Sequence, residues 1–433
     1  MVESCAPPAL NLPLNWKAKA TTGLMLKLAS VLGLMRLGRR SMSWLNHFLQ
    51  AHGSGPEQAI DQLQQQGLPH RRLEPWRFTD IAPLTGLTPA LLKPRGAAQA
   101  VAHPAVEPGV VRLMLAQNGC NFVLAPGSAQ PPSGLVIESA PRGGACADSA
   151  WVFQLREVLA GPALKLQLEP GESLRLELLL NPGEANALLT PHLQIYLADG
   201  ASLELFVQLQ SSENSLILFT SIIDLGNAAQ LLEAQSLSGA EGAVFLSGAE
   251  VKQAPSSRYE RSAFVHGWAL ARQEPRVEQT DGAAHTCLKD LALADQDQII
   301  DLHSSVRFDG PNGYLEQLQK ALVDDSAHSI FNGSVQVPRL AQGTDASQLS
   351  RHMLLSNRAR VDAKPELAIV ADDVRCSHGA TISSLADEEL FYMQSRGIKR
   401  EQAVALLKKG FCMQIINSMP ALARRWDLLK QSL

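Results

Sequence analysis

The chain has 433 residues, of which 45% are apolar and 18% are charged, and its formal net charge is −4 at pH 7. This composition predicts a folded protein with a substantial core and excludes a disordered chain. Because its 38 basic side chains do not outnumber its 42 acidic ones, we expect no binding to nucleic acid, which requires a basic excess.

The residues before about position 42 form the first segment of the chain. Lys27 and Arg36 interrupt its apolar run, which therefore falls short of the about 20 residues that span a membrane. We expect no membrane span and no secretory signal, since no A-x-A site follows a clean apolar core. Residues 1–41 are expected to form a flexible extension. A transit peptide, an amphipathic extension and a true start at Met42 are the alternatives.

A helical pattern follows, from Ser43 to about Leu92, and Gly67 is expected to end its second helix. An aromatic and charged cluster, Glu74–Asp80, lies at the edge of this unit. The stretch Lys93–Pro108 is rich in Pro, Gly and Ala, which is typical of a linker. Residues 42–108 are therefore expected to be an N-terminal helical domain with its linker.

Short alternating runs fill the region from about Val110 to Ile369, and residues 109–381 are expected to form one β core. The clearest runs are Leu193–Leu197, Leu203–Val207, Leu216–Leu225, Ala243–Val251, Ser262–Leu270, Gln298–Phe308 and Ser334–Val337. Turns are predicted at Asp281-Gly282, Asp309-Gly310 and Asn332-Gly333. A sandwich, a barrel and a β-solenoid all fit this pattern. The lack of a helical pattern between Pro191 and Leu355 favours the irregular stacked coils of a solenoid.

The last segment, residues 382–433, is expected to be a C-terminal helical domain that caps the core or docks another protein. Acidic residues at 387–389 favour a helix start, and Arg396-Gly397 should end that helix. A second helix is predicted over about Lys399–Ser418, and a short one over Ala421–Leu429.

Six cysteines are scattered without a CxxC motif, which predicts free thiols in a reducing compartment. Any metal held by this chain alone should be held weakly or shared with another chain. Core packing is the expected role of Cys120, Cys146, Cys287 and Cys412. Motifs for nucleophilic or metalloprotease chemistry are absent from the sequence, as is a phosphate-binding loop, because Lys408-Lys409-Gly410 lies in a helical pattern. If ATP is used, a partner must bind it.

Several motifs between Phe331 and Phe411 recur in the order and spacing of a known family. They are Phe331-Asn332-Gly333, Ala341-Gln342, Thr344–Gln348, Leu354–Ala359, Lys364–Leu367, Asp372–Thr381, Leu390-Phe391-Tyr392 and Ser395–Ile398. Together they resemble the SufB/SufD family of iron–sulfur cluster assembly proteins, as does Glu74–Asp80 upstream. Residues Thr344–Gln348 are expected to serve as a structural turn.

Two positions favour the SufD branch of this family. His378-Gly379-Ala380-Thr381 has the SufD form, whereas SufB proteins carry His-Glu-Ala-Thr there, and Ile369 stands where the SufB scaffold has its assembly cysteine. The resemblance implies a mainly β protein, with a right-handed parallel β-helix core flanked by N- and C-terminal helical domains. A SufB-like scaffold and an unrelated β-helix enzyme acting on polysaccharides are the alternatives.

The resemblance also implies a metal site. His378 matches a SufD histidine at the interface with SufB, where a transient iron–sulfur cluster is shared. Neutral imidazole is a competent iron ligand. Cys376 stands two residues before it, so on a strand both side chains lie on one face, and Cys376 is the second candidate ligand. We expect a half-site that SufB completes.

A second partner, the ABC-type ATPase SufC, is implied by the same resemblance. It would dock on the C-terminal helices and supply all ATP hydrolysis, which leaves this chain a non-catalytic subunit without an ATP site. The expected SufC surface consists of Leu390, Phe391, Tyr392, Arg396, Gly397 and Phe411. A role for flavin stays open. The expected location is the cytoplasm, or the plastid stroma if residues 1–41 are a transit peptide.

Overall fold

The computed structural model describes residues 44–94, 103–116, 121–139, 151–159 and 161–430. The expected extension over residues 1–41 lies outside these ranges. The described helices at the N-terminal side are α1 (44–52), α2 (Glu57–Gln66), α3 (Ala82–Gly86) and α4 (Trp151–Glu157), with 3-10 turns at Glu74–Trp76 and Pro89–Leu91. The helical pattern predicted up to Leu92 is thereby confirmed.

Aromatic packing holds the N-terminal helices together. The Trp44 ring stacks on that of Phe48, with centroids 5.0 Å apart, and the Trp44 indole N–H donates to the Leu87 carbonyl over 2.7 Å. Gly67 ends α2 with φ of 74°, a left-handed conformation that glycine adopts without a steric penalty. This small unit packs against the solenoid through α4 and the outer side of several strands.

The described strands form two 10-stranded sheets that run along the length of the molecule. One sheet contains β1 (Val110–Leu115), β2 (Phe122–Leu124), β5 (Ser173–Leu180), β8 (Ser202–Gln210), β10 (Gln230–Ser238), β12 (Arg258–His266), β14 (His285–Ala294), β16 (Tyr314–Val323), β18 (Asp345–Leu354) and β20 (Arg375–Ser384). The other contains β3 (Leu135–Ser139), β4 (Pro162–Leu168), β6 (Leu188–Leu189), β7 (His192–Leu197), β9 (Leu216–Leu225), β11 (Val244–Gln253), β13 (Leu270–Gln279), β15 (Ile299–Phe308), β17 (His328–Val337) and β19 (Arg360–Ile369).

Parallel pairing identifies this architecture as a β-solenoid rather than a sandwich. From β8 to β20 successive strands alternate between the sheets, so each coil adds one parallel strand to each sheet. The coils are irregular, as predicted: Gln230 pairs with Arg258, 28 positions later, whereas Tyr314 pairs with Asp345, 31 positions later. Between positions 191 and 355, all of them described, no helix interrupts the strands.

Stacked apolar residues fill the space between the two sheets. Leu203, Leu231 and Tyr259 occupy equivalent inward positions on three successive coils, and each is fully buried. Left-handed residues make the turns between strands, including Asp281 and Gly282 at a turn that the sequence predicted. Burying such ladders is the main stabilising term of a solenoid.

Three sequence predictions in this region are wrong. Asn332-Gly333 is not a turn but lies within β17, where a Cβ at Gly333 would overlap Gln348 and Phe331. A larger residue there would force both side chains to move, so glycine allows the close packing between the sheets. The predicted run Ser262–Leu270 crosses the turn between β12 and β13. Residues Asp345–Gln348 start a strand, β18, and only Thr344 before them belongs to a turn, where its hydroxyl donates to the Ala341 carbonyl over 2.8 Å.

The C-terminal helices lie on the outer face of the sheet that contains β14. They are α5 (Asp387–Ser395), α6 (Arg400–Ile416) and α7 (Ala421–Arg424), which confirms the first two predicted helices and shortens the third. From α6, Cys412, Ile415 and Ile416 pack against outward side chains of the strands, while Leu406 is 51% exposed. None of the described helices has the length and apolar character that a membrane span requires.

Candidate functional site

The end of the solenoid formed by β19 and β20 is open. In the sheet order of the described residues, β19 borders only β17 and β20 borders only β18. Each of these strands has ten residues and leaves one row of backbone N–H and C=O groups without a neighbouring strand. Most side chains of β20 are exposed, in contrast to those of the coils before it. Open strand edges of this kind are sites where another chain can pair.

Cys376 and His378 both lie on β20 and share its inward face. Their register partners on β18 are Ala346 and Gln348, and Ala346 belongs to the interior core. Cys376 is partly buried and packs against that core, whereas His378 is exposed at the end of the coil stack. The predicted same-face arrangement is therefore present, and the imidazole is open to an approaching partner.

The two side chains differ in their readiness to bind a metal. Burial raises the pKa of the Cys376 thiol, so it stays protonated near neutral pH unless a metal displaces the proton. Among the described residues, no group of three or more His, Cys, Asp or Glu side chains is arranged to hold a metal ion. This part of the chain thus offers at most two donors, fewer than the four that a structural metal site usually has.

A groove of about 300 Å³ lies next to this strand, between the outer face of the sheet and α6. Its walls include Glu316, Ser347, Ser377, Gly379 and Gln414. A Cβ at Gly379 would meet only the Leu349 side chain, at 3.3 Å, and the backbone there is not left-handed. Glycine at this position is therefore not demanded by the fold, and its small size keeps this side of β20 open.

The remaining cysteines that the structure describes are buried. Burial raises the pKa of Cys287 to about 11 and that of Cys412 to about 12, which keeps both as thiols. Core packing, the role predicted for these two, is confirmed. Cys5, Cys120 and Cys146 lie outside the described residues.

The expected SufC surface divides into exposed and buried members. Phe391 and Tyr392 are 72% and 60% exposed on α5, and Arg396 is exposed with its guanidinium 5.3 Å from the Tyr392 ring centroid. Gly397 is exposed at the end of α5, with φ of 87°. Leu390 is 2% exposed, so it packs beneath this surface and presents no contact of its own.

Phe411, the last member of that set, contacts the solenoid. Its ring centroid lies 4.0 Å from the Lys320 ammonium nitrogen, and Lys320 also donates to the Gln414 side chain over 3.0 Å. Lys320 is on β16, so α6 is tied to a strand two coils from the open end. This contact could not be predicted, because nothing in the sequence pattern links α6 to a particular strand.

The structure also explains the Glu74–Asp80 motif, whose role the sequence left open. Trp76 packs over the Arg272 guanidinium, with 3.8 Å between the guanidinium carbon and the ring centroid. Thr79 donates to Asp301 over 2.6 Å, and Arg272 pairs with both Asp301 and Glu274. The motif is therefore a structural contact that attaches the N-terminal unit to β13 and β15.

Comparison with known proteins identifies the family to which this solenoid is similar. The family model described as SUF system FeS cluster assembly, SufBD core domain, matches residues 180–411, which is more than half of the chain. A SufBD family protein of Synechocystis is 37% identical over 200 residues, which cover 46% of this chain and 44% of the relative. Protein ABCI7, chloroplastic, of Arabidopsis thaliana is 42% identical over 171 residues, which cover 39% and 36% of the two chains.

A third relative is named SufD, one branch of the family. The iron–sulfur cluster assembly protein SufD of Escherichia coli is 30% identical over 157 residues, which cover 36% of this chain and 37% of the relative. The matched segments thus span less than half of the length of all three relatives. The chain belongs to the SufBD family of iron–sulfur cluster assembly proteins. The relatives named SufD support the SufD type expected from Gly379 and Ile369.

Proposed function

We propose that this chain is the SufD-type, non-ATPase partner of SufB in a SufBCD-type complex that assembles iron–sulfur clusters. The observation that carries the proposal is the position of His378, exposed on the inward face of the last strand at the open end. A ligand placed there is accessible to a second chain that covers the end of the solenoid.

In this proposal the cluster is cargo held between two chains. His378 supplies an imidazole nitrogen to iron, and SufB supplies the thiolate that Ile369 cannot provide. Cys376 is a weaker candidate, because its partly buried thiol must lose a proton before it binds. Two donors on one chain hold iron loosely, which suits a cluster that must be passed on.

The open strand edges support pairing with SufB. Ile369, Val370 and Ile382 are 42%, 59% and 50% exposed on or beside β19 and β20. Apolar side chains next to unpaired backbone groups match the surface of another β-solenoid end, which would bury the former and hydrogen-bond the latter.

The exposed part of α5 is the proposed SufC surface, with Phe391, Tyr392 and Arg396 as its contact residues. Force applied to α5 and α6 would reach the solenoid through the Phe411–Lys320 contact on β16. ATP hydrolysis by SufC would in this way alter the SufB-facing end. The site of action would be the cytoplasm or the plastid stroma, and the chloroplast relative supports the second.

The direct test is co-expression with SufB and SufC, followed by anaerobic purification. We expect a three-protein complex that retains iron and sulfide and shows the visible absorbance of a cluster. A chain that purifies alone under these conditions, or a SufB–SufC pair that holds the same cluster without it, would contradict the proposal.

SufC docking can be tested separately. The double variant Phe391→Ser, Tyr392→Ser should lose SufC from the purified complex and keep SufB. Leu91→Ser is the matched control, because Leu91 is 55% exposed on the N-terminal unit. If the double variant recovers as much SufC as the wild type, the exposed part of α5 is not the SufC docking surface.

A further inference from the structure

The long helix α6 divides at Gly410 into two halves with different neighbours. In the second half, Cys412 and Ile415 are fully buried and belong to the apolar cluster that includes Leu291 on the outer face of the sheet. In the first half and in α5, which together are residues 387–409, no side chain belongs to any of the three buried apolar clusters of the described chain. The second half is therefore part of the solenoid core, and the first half is not.

The first half of α6 packs on α5 instead. The two helices form a hairpin, and Gly397, with φ of 87°, lies in the turn between them. Leu390 of α5 and Ala403 of α6 are buried, at 2% and 0% exposure, and they give this hairpin a small core of its own. We call residues 387–409 the arm.

The contact between the arm and the solenoid is loosely packed. Lys408 of the arm forms an ion pair with Asp324 over 3.8 Å, and because both side chains are partly exposed, this pair contributes little to stability. A groove of about 280 Å³ lies beside the pair, where Leu293, Leu322 and Leu355 of the solenoid form part of its walls. Segments with few buried apolar contacts move most readily relative to the rest of a protein.

Gly410 has the properties of a hinge at this boundary. It is exposed, its φ is not left-handed, and an added Cβ would have no neighbour within 4 Å. Neither a turn nor close packing therefore requires glycine at this position. Inside a helix, glycine is less favourable than alanine because its backbone is more flexible, so α6 bends most easily there.

We propose that the arm, residues 387–409, turns about Gly410 as a unit while the second half of α6 stays on the solenoid. The movement widens or narrows the groove and breaks or restores the Lys408–Asp324 pair. Because that pair is the weak link and the small core of the arm moves with it, the turn costs little buried apolar contact.

One consequence for SufC rests on the proposed function, whereas the hinge itself does not. Phe391 and Tyr392 lie on the arm, so a SufC subunit bound to them would change its orientation without detaching α6 from the sheet. A pull on the arm would still reach β16 through the contact of Phe411 with Lys320, which lies just after the hinge.

The movement is tested by pulsed electron double resonance on the full chain without partners. Spin labels are attached to ketone-bearing amino acids, which leaves the six cysteines unchanged. One pair replaces the exposed residues Gln394 on α5 and Asp297 on a solenoid turn, and the reference pair replaces Asn417 and Asp297. We expect a broad distance distribution for the Gln394 pair and a narrow one for the reference pair. Equally narrow distributions would overturn the proposal.

The hinge position is tested with Gly410→Ala in the Gln394 pair. Alanine should lower the population of the displaced arm about five-fold, the equivalent of about 1 kcal/mol, and so narrow the distribution. Gln402→Ala, at an exposed position of α6 within the arm, should leave the distribution unchanged. A distribution as broad for Gly410→Ala as for the wild type would contradict a hinge at this residue. Because SufC is absent, these results and SufC docking can fail independently of each other.

Discussion

The middle coils and the last coil of the solenoid give their polar side chains opposite environments. In the middle, Arg261 and Asp290 form an ion pair between neighbouring strands, and their side chains are each 3% exposed. At the end, Arg375 and Asp345 form a pair between neighbouring strands on the outer face of the sheet, with side chains 86% and 42% exposed. His378 is exposed too, although it lies on the inward face, because in the described part of the chain β20 is the last strand of its sheet.

The burial of an ion pair here therefore depends on its coil and its face of the sheet, and not on its residue types. An inward charge between two coils must be paired, because the interior screens it poorly. An inward histidine on the last coil needs no partner in its own chain, because solvent or a second chain reaches it. The solenoid can therefore place a ligand-binding group at its end without a large cost in stability.

We predict the largest difference in the free energy of unfolding for variants of the two ion pairs. Arg261→Met leaves Asp290 buried without its cation and should lower the free energy of unfolding by about 3–5 kcal/mol. Arg375→Met, its exposed counterpart, should cost less than about 1 kcal/mol. Urea denaturation of both variants measures the two values.

The double variant Arg261→Met, Asp290→Leu is the control, because removing both charges should recover part of the loss. A cost for Arg261→Met as small as that for Arg375→Met would show that the middle coils are more hydrated than their burial indicates.

Acid should weaken the covered coils of the solenoid through their buried histidines. His352 has a folded-state pKa of about 4, lowered from 6.5 by burial, so the unfolded chain binds its proton first. Its contribution to stability is therefore present above pH 6.5 and is lost as the pH falls towards 4, by up to about 3 kcal/mol. His352→Gln should flatten this part of the profile of unfolding free energy against pH. An unchanged slope would assign the acid sensitivity to other groups, such as His192 and His266, whose pKa values are also lowered by burial.

The contact of the N-terminal unit with the middle coils should contribute less to the free energy of unfolding than the buried ion pair or His352. Trp76→Leu removes the aromatic face above Arg272 and should lower the free energy of unfolding by about 2 kcal/mol, because that guanidinium is fully buried. Arg77→Leu is the control, since Arg77 is exposed and lies 5.8 Å from the Phe78 ring centroid, so its loss should cost less than about 0.5 kcal/mol. Limited proteolysis would show whether the N-terminal helices of the Trp76 variant become accessible. Equal stability of the two variants would contradict the role of Glu74–Asp80 in attaching the N-terminal unit to the solenoid.

Much of the fold could be predicted from local sequence patterns, and the predictions that were wrong have physical causes. Period-two alternation and turn residues located the run Leu216–Leu225 and the turn at Asp281-Gly282 as the structure has them. The strands β10, β14 and β16 were missed because Glu233, Asp290 and Gln319 break the alternation at inward positions. The turn predicted at Asn332-Gly333 was wrong because this dipeptide can form a hairpin turn or can lie in a strand where two sheets pack closely.

The candidate site was predicted only in part. Spacing placed Cys376 and His378 on one face, and the family resemblance gave them a role. That β20 is the last strand of its sheet depends on the parallel register of all the coils before it, which no local pattern contains. The partners of Trp76 and Phe411 are equally distant in sequence and could not be foreseen.

In the proposed function, the open end of the solenoid carries a cluster ligand. It is tested most directly by His378→Ala, purified anaerobically with SufB and SufC and assayed for iron, sulfide and visible absorbance. Ser377→Ala, on the outer face of the same strand, is the matched control. We predict that both complexes assemble, that Ser377→Ala keeps its cluster and that His378→Ala loses it. A His378→Ala complex that retains a full cluster would contradict a ligand role for His378 and leave Cys376 or SufB alone to hold the cluster.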